Sequence, residues 1–467
     1  MAIAIAVVAL LVATVLFHIL SPWQLTPLAS NWGAIDGIIN LTFWVTGLVL
    51  IAVNLFMAWC IVRYRYNKDR RARYEPEDKK LEAWLIGLST LGIAALLAPG
   101  LVVWNNIVHA PEDAHEVEVV GSQWHWYFRY PGEDGVLGRS DPALISDANP
   151  LGIDPDDPAA WDDIIVTTPR GYLPVDRPVK LNLRSRDVLH NFKIANFRVK
   201  MDMVPGQVSH FWLTPTRMGE YDLICAQLCG IGHFAMRGSV RVVEEGDYQA
   251  WLAQQPTFGE LQSREAPDLA AGERHYTNCI ACHGNEGQGN RMLNSPAIAG
   301  MEAWYTKRQL EYFRNGARGA HEDDEYGRQM VPFANLVSDP QTERDLAAYI
   351  EQLAPVTVAS TVEGNPARGE RLYRTCGACH GRDGQGLHGT NAPRLAGLDD
   401  WYQKRQLEHF KSGVRGGHPD DLYGPQMRDM SKIIVNDDAM RNVLAYINTL
   451  TGHEQDRAQP ELAGRNN

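Results

Sequence analysis

Residues 225–236 read Cys-Ala-Gln-Leu-Cys-Gly-Ile-Gly-His-Phe-Ala-Met: two thiols, an imidazole and a thioether, at steps of four, four and three. These soft and borderline ligands select copper over magnesium, calcium or manganese. A disulfide or a zinc site with two Cys and two His would use part of the pattern, but a thioether is a poor zinc ligand. Four donors on one loop leave a coordination sphere incomplete. The best distant donor is His190, in the segment Arg186-Asp187-Val188-Leu189-His190-Asn191-Phe192 that follows a strand-like run. Two more clusters, Cys279-Ile280-Ala281-Cys282-His283 and Cys376-Gly377-Ala378-Cys379-His380, have the spacing of covalent c-type haem attachment, with two thioether bonds and a proximal histidine. A thioredoxin-like redox pair is disfavoured by the following His and by the lack of a βαβ pattern.

The sixth iron ligand follows from an internal repeat. Segment 272–353 matches 369–450 at a constant offset of 97, as in WYTKRQL at 304–310 and WYQKRQL at 401–407. In that register Met330 and Met427 each fall 47 residues after their histidine. Methionine raises a haem potential relative to a second histidine. His321 and His418 also repeat and are the alternative; Met430 faces Phe333 in the other copy, and Met292 and Met301 have no counterpart methionine. Pro296 and Pro393 are expected to pack on haem faces, and the segments around Arg308 and Arg405 to meet propionates or solvent. Two copies make a duplicated small α-helical domain, not a solenoid.

These groups need a framework to hold them. With 467 residues several domains are expected, and a net charge of −12 argues against nucleic acid and suits a basic protein partner. Six of seven cysteines belong to the three clusters; Cys60 lies in an apolar run and reads as a small core residue. Residues 1–20 are apolar and lack the basic leader of a secretory signal, so a retained helix is expected, with His18 at the interface or a helix contact. Cleavage near Leu28-Ala29-Ser30 is the alternative. Apolar runs at 35–62 and 83–108 flank a loop carrying Arg63, Arg65, Lys68, Arg70, Arg71, Arg73, Lys79 and Lys80, whereas 109–120 has no Lys or Arg. The positive-inside rule puts that loop in the cytoplasm and everything after 109 on the opposite, periplasmic side, where c-type haem is attached. Short β-rich runs at 116–120, 124–130, 163–168, 178–184, 209–214 and 238–243 predict an antiparallel sandwich or barrel. The acidic stretch 132–163, with Asp154, Asp156, Asp157, Asp162 and Asp163, reads as a solvated loop because it lacks EF-hand spacing. A short helix and linker fill 246–270, and the tail after 455 is polar and expected to be disordered.

At this point the residues resemble subunit II of the haem-copper cytochrome c oxidases. The likeness rests on the helical hairpin at 35–108, the run Gln123-Trp124-His125-Trp126-Tyr127, the His190 segment continuing to Lys200-Met201-Asp202-Met203-Val204-Pro205-Gly206, and the 225–236 loop. With two cytochrome c domains appended, the whole is similar to caa-type oxidases with one haem domain more. The resemblance implies N-terminal transmembrane helices (1–22 and a hairpin at 33–109), a cupredoxin-like sandwich at 113–245, a linker at 246–270, cytochrome c domains at 271–355 and 362–455, and a tail at 456–467. It implies a dinuclear copper centre, CuA, bridged by Cys225 and Cys229, with His190 and His233 as terminal ligands, Met236 as a weak ligand and the backbone carbonyl of Gln227. Many family members carry Glu at the Gln227 position, where it helps bind magnesium at the subunit I interface; with Gln that magnesium site is in doubt. Trp124 is expected to be the exposed aromatic over the copper site at which electrons enter, on a surface the chain's own haem domain could occupy, with plain core packing as the alternative, and Glu82 is a candidate for a proton-path entrance or a plain helix-start carboxylate. Implied partners are oxidase subunits I and III and a cytochrome c donor, in the bacterial inner membrane. A nitric oxide reductase subunit with CuA, or a free-standing membrane-anchored electron carrier, would share the motifs; a quinol oxidase would lack the copper ligands.

Overall fold

The computed structural model describes residues 1–21, 26–71, 76–146 and 149–452; Arg73 and the tail 456–467 lie outside the described residues. Three apolar helices come first: α1 (Ala2–Leu20), α2 (Gly33–Arg63) and α3 (Lys79–Val108). Each is long and apolar enough to cross a membrane. Asp78 caps α3, accepting from Lys80 N and Leu81 N at 3.1 and 3.0 Å. Glu82 is exposed in the first turn of α3. α1 packs on α2, with the His18 ring 5.4 Å from Phe43, so His18 is a helix contact. Cys60 is half-buried on α2.

The hairpin is fastened to the β-domain by a few polar contacts. Asp36, at the start of α2, takes a bidentate pair from Arg198 at 2.7 and 3.0 Å. Trp212 acts as a wedge: its carbonyl accepts from Trp32 Nε1 at 2.9 Å and its own Nε1 donates to Asn106 O at 2.8 Å.

The β-domain comprises β1 (His115–Ser122), β2 (His125–Tyr130), β3 (Ile164–Val166), β4 (Arg170–Pro174), β5 (Val179–Ser185), β6 (His190–Ile194), β7 (Val199–Met203), β8 (Ser209–Leu213), β9 (Gly219–Cys225) and β10 (Arg237–Val243). They form two five-stranded sheets, β3-β2-β1-β5-β8 and β4-β10-β9-β6-β7. The inward faces bury Val117, Val119, Trp126, Phe128, Leu181, Leu183, Phe192, Phe211 and Leu223. The expectation of an antiparallel sandwich needs one correction. β1 pairs with β5, and β4 with β10, in parallel, because long crossovers bring each chain back in the same direction.

One acidic residue of the 132–163 insertion, Asp163, departs from the solvated-loop reading. Asp163 is fully buried, paired with Arg129, which also donates to Gly138 O at 2.6 Å. Glu118 joins the network and accepts from Arg184 at 2.6 and 2.9 Å. Burial of a carboxylate is tolerable only with such partners. The 246–270 stretch is likewise attached in part. α4 (Glu245–Leu252) stacks Trp251 on Tyr172 at 4.1 Å, and α5 (Phe258–Gln262) buries Phe258 against Tyr127, Leu151 and Ile153.

The first repeat contains α6 (Leu269–Tyr276), α7 (Ile280–His283), α8 (Ala303–Arg314), α9 (Glu325–Leu336) and α10 (Pro340–Gln352). The second contains α11 (Pro366–His380), α12 (Asp400–Ser412), α13 (Gly424–Ser431) and α14 (Asp437–Ile447). The repeated Gly272 and Gly369 let helices cross closely: a Cβ there would sit 2.2 Å from Asp345 O and 1.9 Å from Asn442 O. The two domains pack through contacts that exchange under the offset of 97. Arg308 lies over the Tyr423 ring and Arg405 over the Tyr326 ring, both at 4.4 Å. Arg415 donates to Gln406 and Gln309 at 2.7 and 3.1 Å, and Arg318 to Gln309 and Gln406 at 2.8 and 3.4 Å. Such self-complementary pairing is that of an isologous interface built inside one chain. Arg308 and Arg405 thus serve the interface, a role beyond the two considered from sequence.

Candidate metal centre and haem sites

β9 ends at Cys225, and β6 begins at His190 on the neighbouring strand, which aligns Phe192 with Cys225. The loop then folds back so that Cys229, His233 and Met236 converge. Cys225 and Cys229 Sγ lie 3.7 Å apart. His190 Nδ1 is 4.0 Å from Cys225 Sγ, and His233 Nδ1 is 3.6 Å from Cys229 Sγ. Met236 Sδ is 3.8 Å from Cys229 Sγ, and the Gln227 carbonyl oxygen is 3.1 Å from Cys225 Sγ. All six ligands expected from sequence therefore meet in one place. His190, Cys225 and Cys229 form a buried cluster with ligand atoms within 4.8 Å of one another. Two soft thiolates between two imidazoles suit a pair of copper ions and suit magnesium or calcium poorly.

The surrounding groups set ligand orientation. Asp187 accepts from His190 Nε2 at 2.8 Å, which leaves Nδ1 for metal. The other Asp187 oxygen accepts from Gln123 N at 2.7 Å. The contact with Cys229 holds the Cys225 thiol down, to about 3, despite burial, and hydrogen bonding from His190 adds to this. Cys229 is pushed up by the same contact and by burial. Asp187 and Gln123 carry no ligand spacing and were not legible as part of the site.

Trp124 lies over the loop. Its Nε1 donates to Cys229 O at 3.0 Å, beside Gln123 Nε2 to the same oxygen at 2.8 Å. Gly232 makes room for the indole, since a Cβ there would meet Trp124 at 2.4 Å. The expectation of an exposed aromatic is corrected: Trp124 is only 7% exposed. The second cytochrome domain covers it. Gln426 Nε2 donates to Trp124 O at 2.8 Å, Tyr423 OH to Thr167 O at 3.0 Å, and Arg170 to Pro419 O at 3.1 Å. Ala378 and Cys379 pack on the β-domain core.

His125, next in sequence, stacks on Tyr423 at 5.4 Å and donates from Nε2 to Thr167 O at 2.7 Å. Burial holds its pKa down to about 4 from 6.5, opposed by the Thr167 contact and assisted by Arg308 and His388. The folded state therefore takes up this proton only near pH 4, whereas the unfolded chain takes it up at 6.5. Stability from the neutral imidazole is complete above 6.5 and falls with pH toward 4, by up to about 3 kcal/mol. Chemical denaturation between pH 7 and 4.5 should show this slope, and His125→Phe should flatten it; equal slopes would contradict the assignment.

Each haem motif ends in a buried histidine whose Nδ1 donates to a proline carbonyl: His283 to Pro296 at 2.9 Å and His380 to Pro393 at 2.7 Å. That leaves Nε2 for iron. The prolines thus contribute through their carbonyls, and both line the cavity beside the motifs. One continuous cavity is lined by Cys279, Cys282, His283 and Met330 in the first domain and by Cys376, Cys379, His380 and Met427 in the second. His321 and His418 lie outside its lining, and their Nδ1 atoms accept from Asp323 N and Asp420 N at 3.2 Å each; the geometry favours methionine. Met430 also lines the cavity, as does Phe333 opposite it in the repeat. Arg318 Nε and Arg415 Nε are buried in the wall without a hydrogen-bond partner among the described residues, a feature suited to anionic propionates in a largely apolar cleft. The donor set and the cleft fit covalent haem.

Comparison with known proteins agrees with this geometry. Residues 115–243 match the family model described as cytochrome c oxidase subunit II, periplasmic domain, and residues 269–354 and 366–451 each match cytochrome c. An "Alternative cytochrome c oxidase subunit 2" of Bradyrhizobium diazoefficiens is 52% identical over 266 residues, which cover 57% of this chain and 96% of that protein. A "Cytochrome c oxidase subunit 2" of Cereibacter sphaeroides is 28% identical over 49% of this chain and 77% of that protein. A "Thiosulfate dehydrogenase electron acceptor" of Stutzerimonas stutzeri is 32% identical over 38% of this chain and 85% of that protein. The chain belongs to the cytochrome c oxidase subunit 2 family, an oxidoreductase family, and carries two cytochrome c domains at its C-terminal end. A CuA-type copper centre and haem c are the cofactors these domains suggest, and other oxidase subunits are the partners that membership implies.

Proposed function

We propose that this chain is the electron-entry subunit of a respiratory terminal oxidase, seated in the bacterial inner membrane with its copper and haem domains on the periplasmic side. The reading is supported most by one observation: the second cytochrome domain covers Trp124, whose indole bonds the carbonyl of Cys229. When bound, two haems c and the CuA pair would carry single electrons from a cytochrome c donor toward subunit I, where oxygen is reduced and protons are pumped. Cys279, Cys282, His283 and Met330 would hold the first haem, and Cys376, Cys379, His380 and Met427 the second. His190, Cys225, Gln227, Cys229, His233 and Met236 would hold copper. Trp124, Gln426 and Tyr423 keep the second haem domain against the copper loop and exclude water between them. Subunit III is a further proposed neighbour. The three apolar helices, largely uncovered among the described residues, offer lateral surface to lipid and to such subunits.

Purification of the native complex in mild detergent, with metal and haem counts and an oxygen-uptake assay, tests the reading. Two coppers and two covalent haems per chain, co-purifying with an oxygen-reducing subunit, are expected. Isolation as a lone chain, or uptake of nitric oxide with no oxygen uptake, would reject it.

A further inference from the structure

We propose that the free face of the first cytochrome domain is a docking surface for the external donor, a soluble one-electron redox protein with basic residues around its exposed cofactor edge. This rests on the relay reading above. The internal repeat singles out this face. The second domain uses one face to grip the β-domain, through Pro419, Tyr423 and Gln426 and through Ala378 and Cys379. Subtracting 97 gives Glu322, Tyr326, Gln329, Ala281 and Cys282 in the first domain. There Glu322, Gln329 and Ala281 are exposed, and Tyr326 keeps 38% exposure with one ring face under Arg405.

Composition of the two faces differs as their roles would require. Met292 is 92% exposed and Leu293 48%, where the second domain has half-buried Gly389 and Thr390. Phe333 is exposed where Met430 is half-buried. Leu293, Tyr326 and Phe333 also line the haem cavity, so this apolar patch lies at the cofactor edge. Around it the first domain carries exposed Glu322, Asp323 and Glu325 where the second has Pro419, Asp420 and Leu422, and exposed Glu286 where the second has Asp383. The cations near the patch are Arg291 and Arg328; Arg328 is engaged with the carbonyls of His321 and Glu322, at 3.5 and 3.1 Å. An apolar centre with an acidic rim complements a basic rim and steers its approach. The same rim disfavours a second copy of this chain, because like charges would face one another.

The test uses the intact complex and a reduced lysine-rich monohaem cytochrome c as probe, followed by stopped-flow spectroscopy. Glu322→Lys with Glu325→Lys should lower the second-order rate at low ionic strength about tenfold or more and reduce its salt dependence. Met292→Asp, at a fully accessible site, should lower it roughly fivefold through the apolar centre. Oxygen uptake driven by tetramethyl-p-phenylenediamine should match the parent; if it falls in the double variant, Met292→Asp decides. Parental rates with the probe in these variants, while haem is still reduced before copper, would overturn the docking surface alone. Reduction of copper before either haem in the parent would instead overturn the relay reading on which it rests.

Discussion

Cys225→Ser should yield a chain with both covalent haems and no dinuclear copper. Cys225 contacts Cys229, His190 and the Gln227 carbonyl. A serine hydroxyl is a hard, weakly acidic ligand and cannot replace a bridging thiolate. The β-scaffold should survive, because Cys225, though part of the core cluster, lies at the end of β9 and serine is nearly its size. Metal analysis is expected to show the loss of two coppers per complex, with the copper of the oxygen-reducing subunit retained, and cytochrome-driven oxygen uptake is expected to fall by at least about a thousandfold, on the scale lost when an essential reacting group is removed. Retention of two coppers would remove Cys225 from the ligand set.

The second large effect concerns the methionines. Met330 and Met427 line the cavity with their histidines, and the competing His321 and His418 do not. Replacing a thioether by imidazole lowers a haem potential, since axial ligands span a range of about 0.8 V. Met427→His should lower one of the two haem potentials by on the order of 0.2 V. For a one-electron couple, about 59 mV is a tenfold change in equilibrium. Transfer from the first domain to the second then becomes unfavourable by more than about a thousandfold, and turnover should fall steeply. Met330→His should lower the other potential and impair acceptance from the donor instead. Redox titration of both variants checks this; parental potentials in both would exclude methionine ligation.

The ligands were legible because they are local. Cys225, Cys229, His233 and Met236 declare themselves within one loop, and each Cys-x-x-Cys-His within five residues. The offset of 97 selected Met330 and Met427 over other methionines; the cavity lining leaves out Met292, His321 and His418 but takes in Met301 and Met430 beside the chosen pair. What sequence hid is what depends on distant pairing. Gln426 reaches Trp124 from 302 positions away, and Tyr423 reaches Thr167 from 256; no periodicity encodes such contacts. The same holds for Asp187 behind His190, and for Asp163, whose partner Arg129 turns an acidic residue into a buried anchor. Strands β4, β6, β7 and β9 escaped notice for a related reason. They are short, and they carry polar or site residues such as Arg170, His190, Lys200, Asp202 and Glu220 that interrupt the apolar alternation. For Trp124 the sequence allows that the chain's own haem domain occupies the surface over copper, but does not show that Gln426 is the residue that reaches it.

On the proposed relay, that placement lets electrons pass from the chain's own second cytochrome domain to its copper loop. Flash photoreduction of haem c in the purified oxidised complex, followed by absorbance of the copper centre, measures this step. Haem reoxidation matched by copper reduction is expected at a rate independent of protein concentration, slowed in Tyr423→Ala with Gln426→Ala. A copper-reduction rate that rises in proportion to protein concentration would show that the electrons arrive from another molecule.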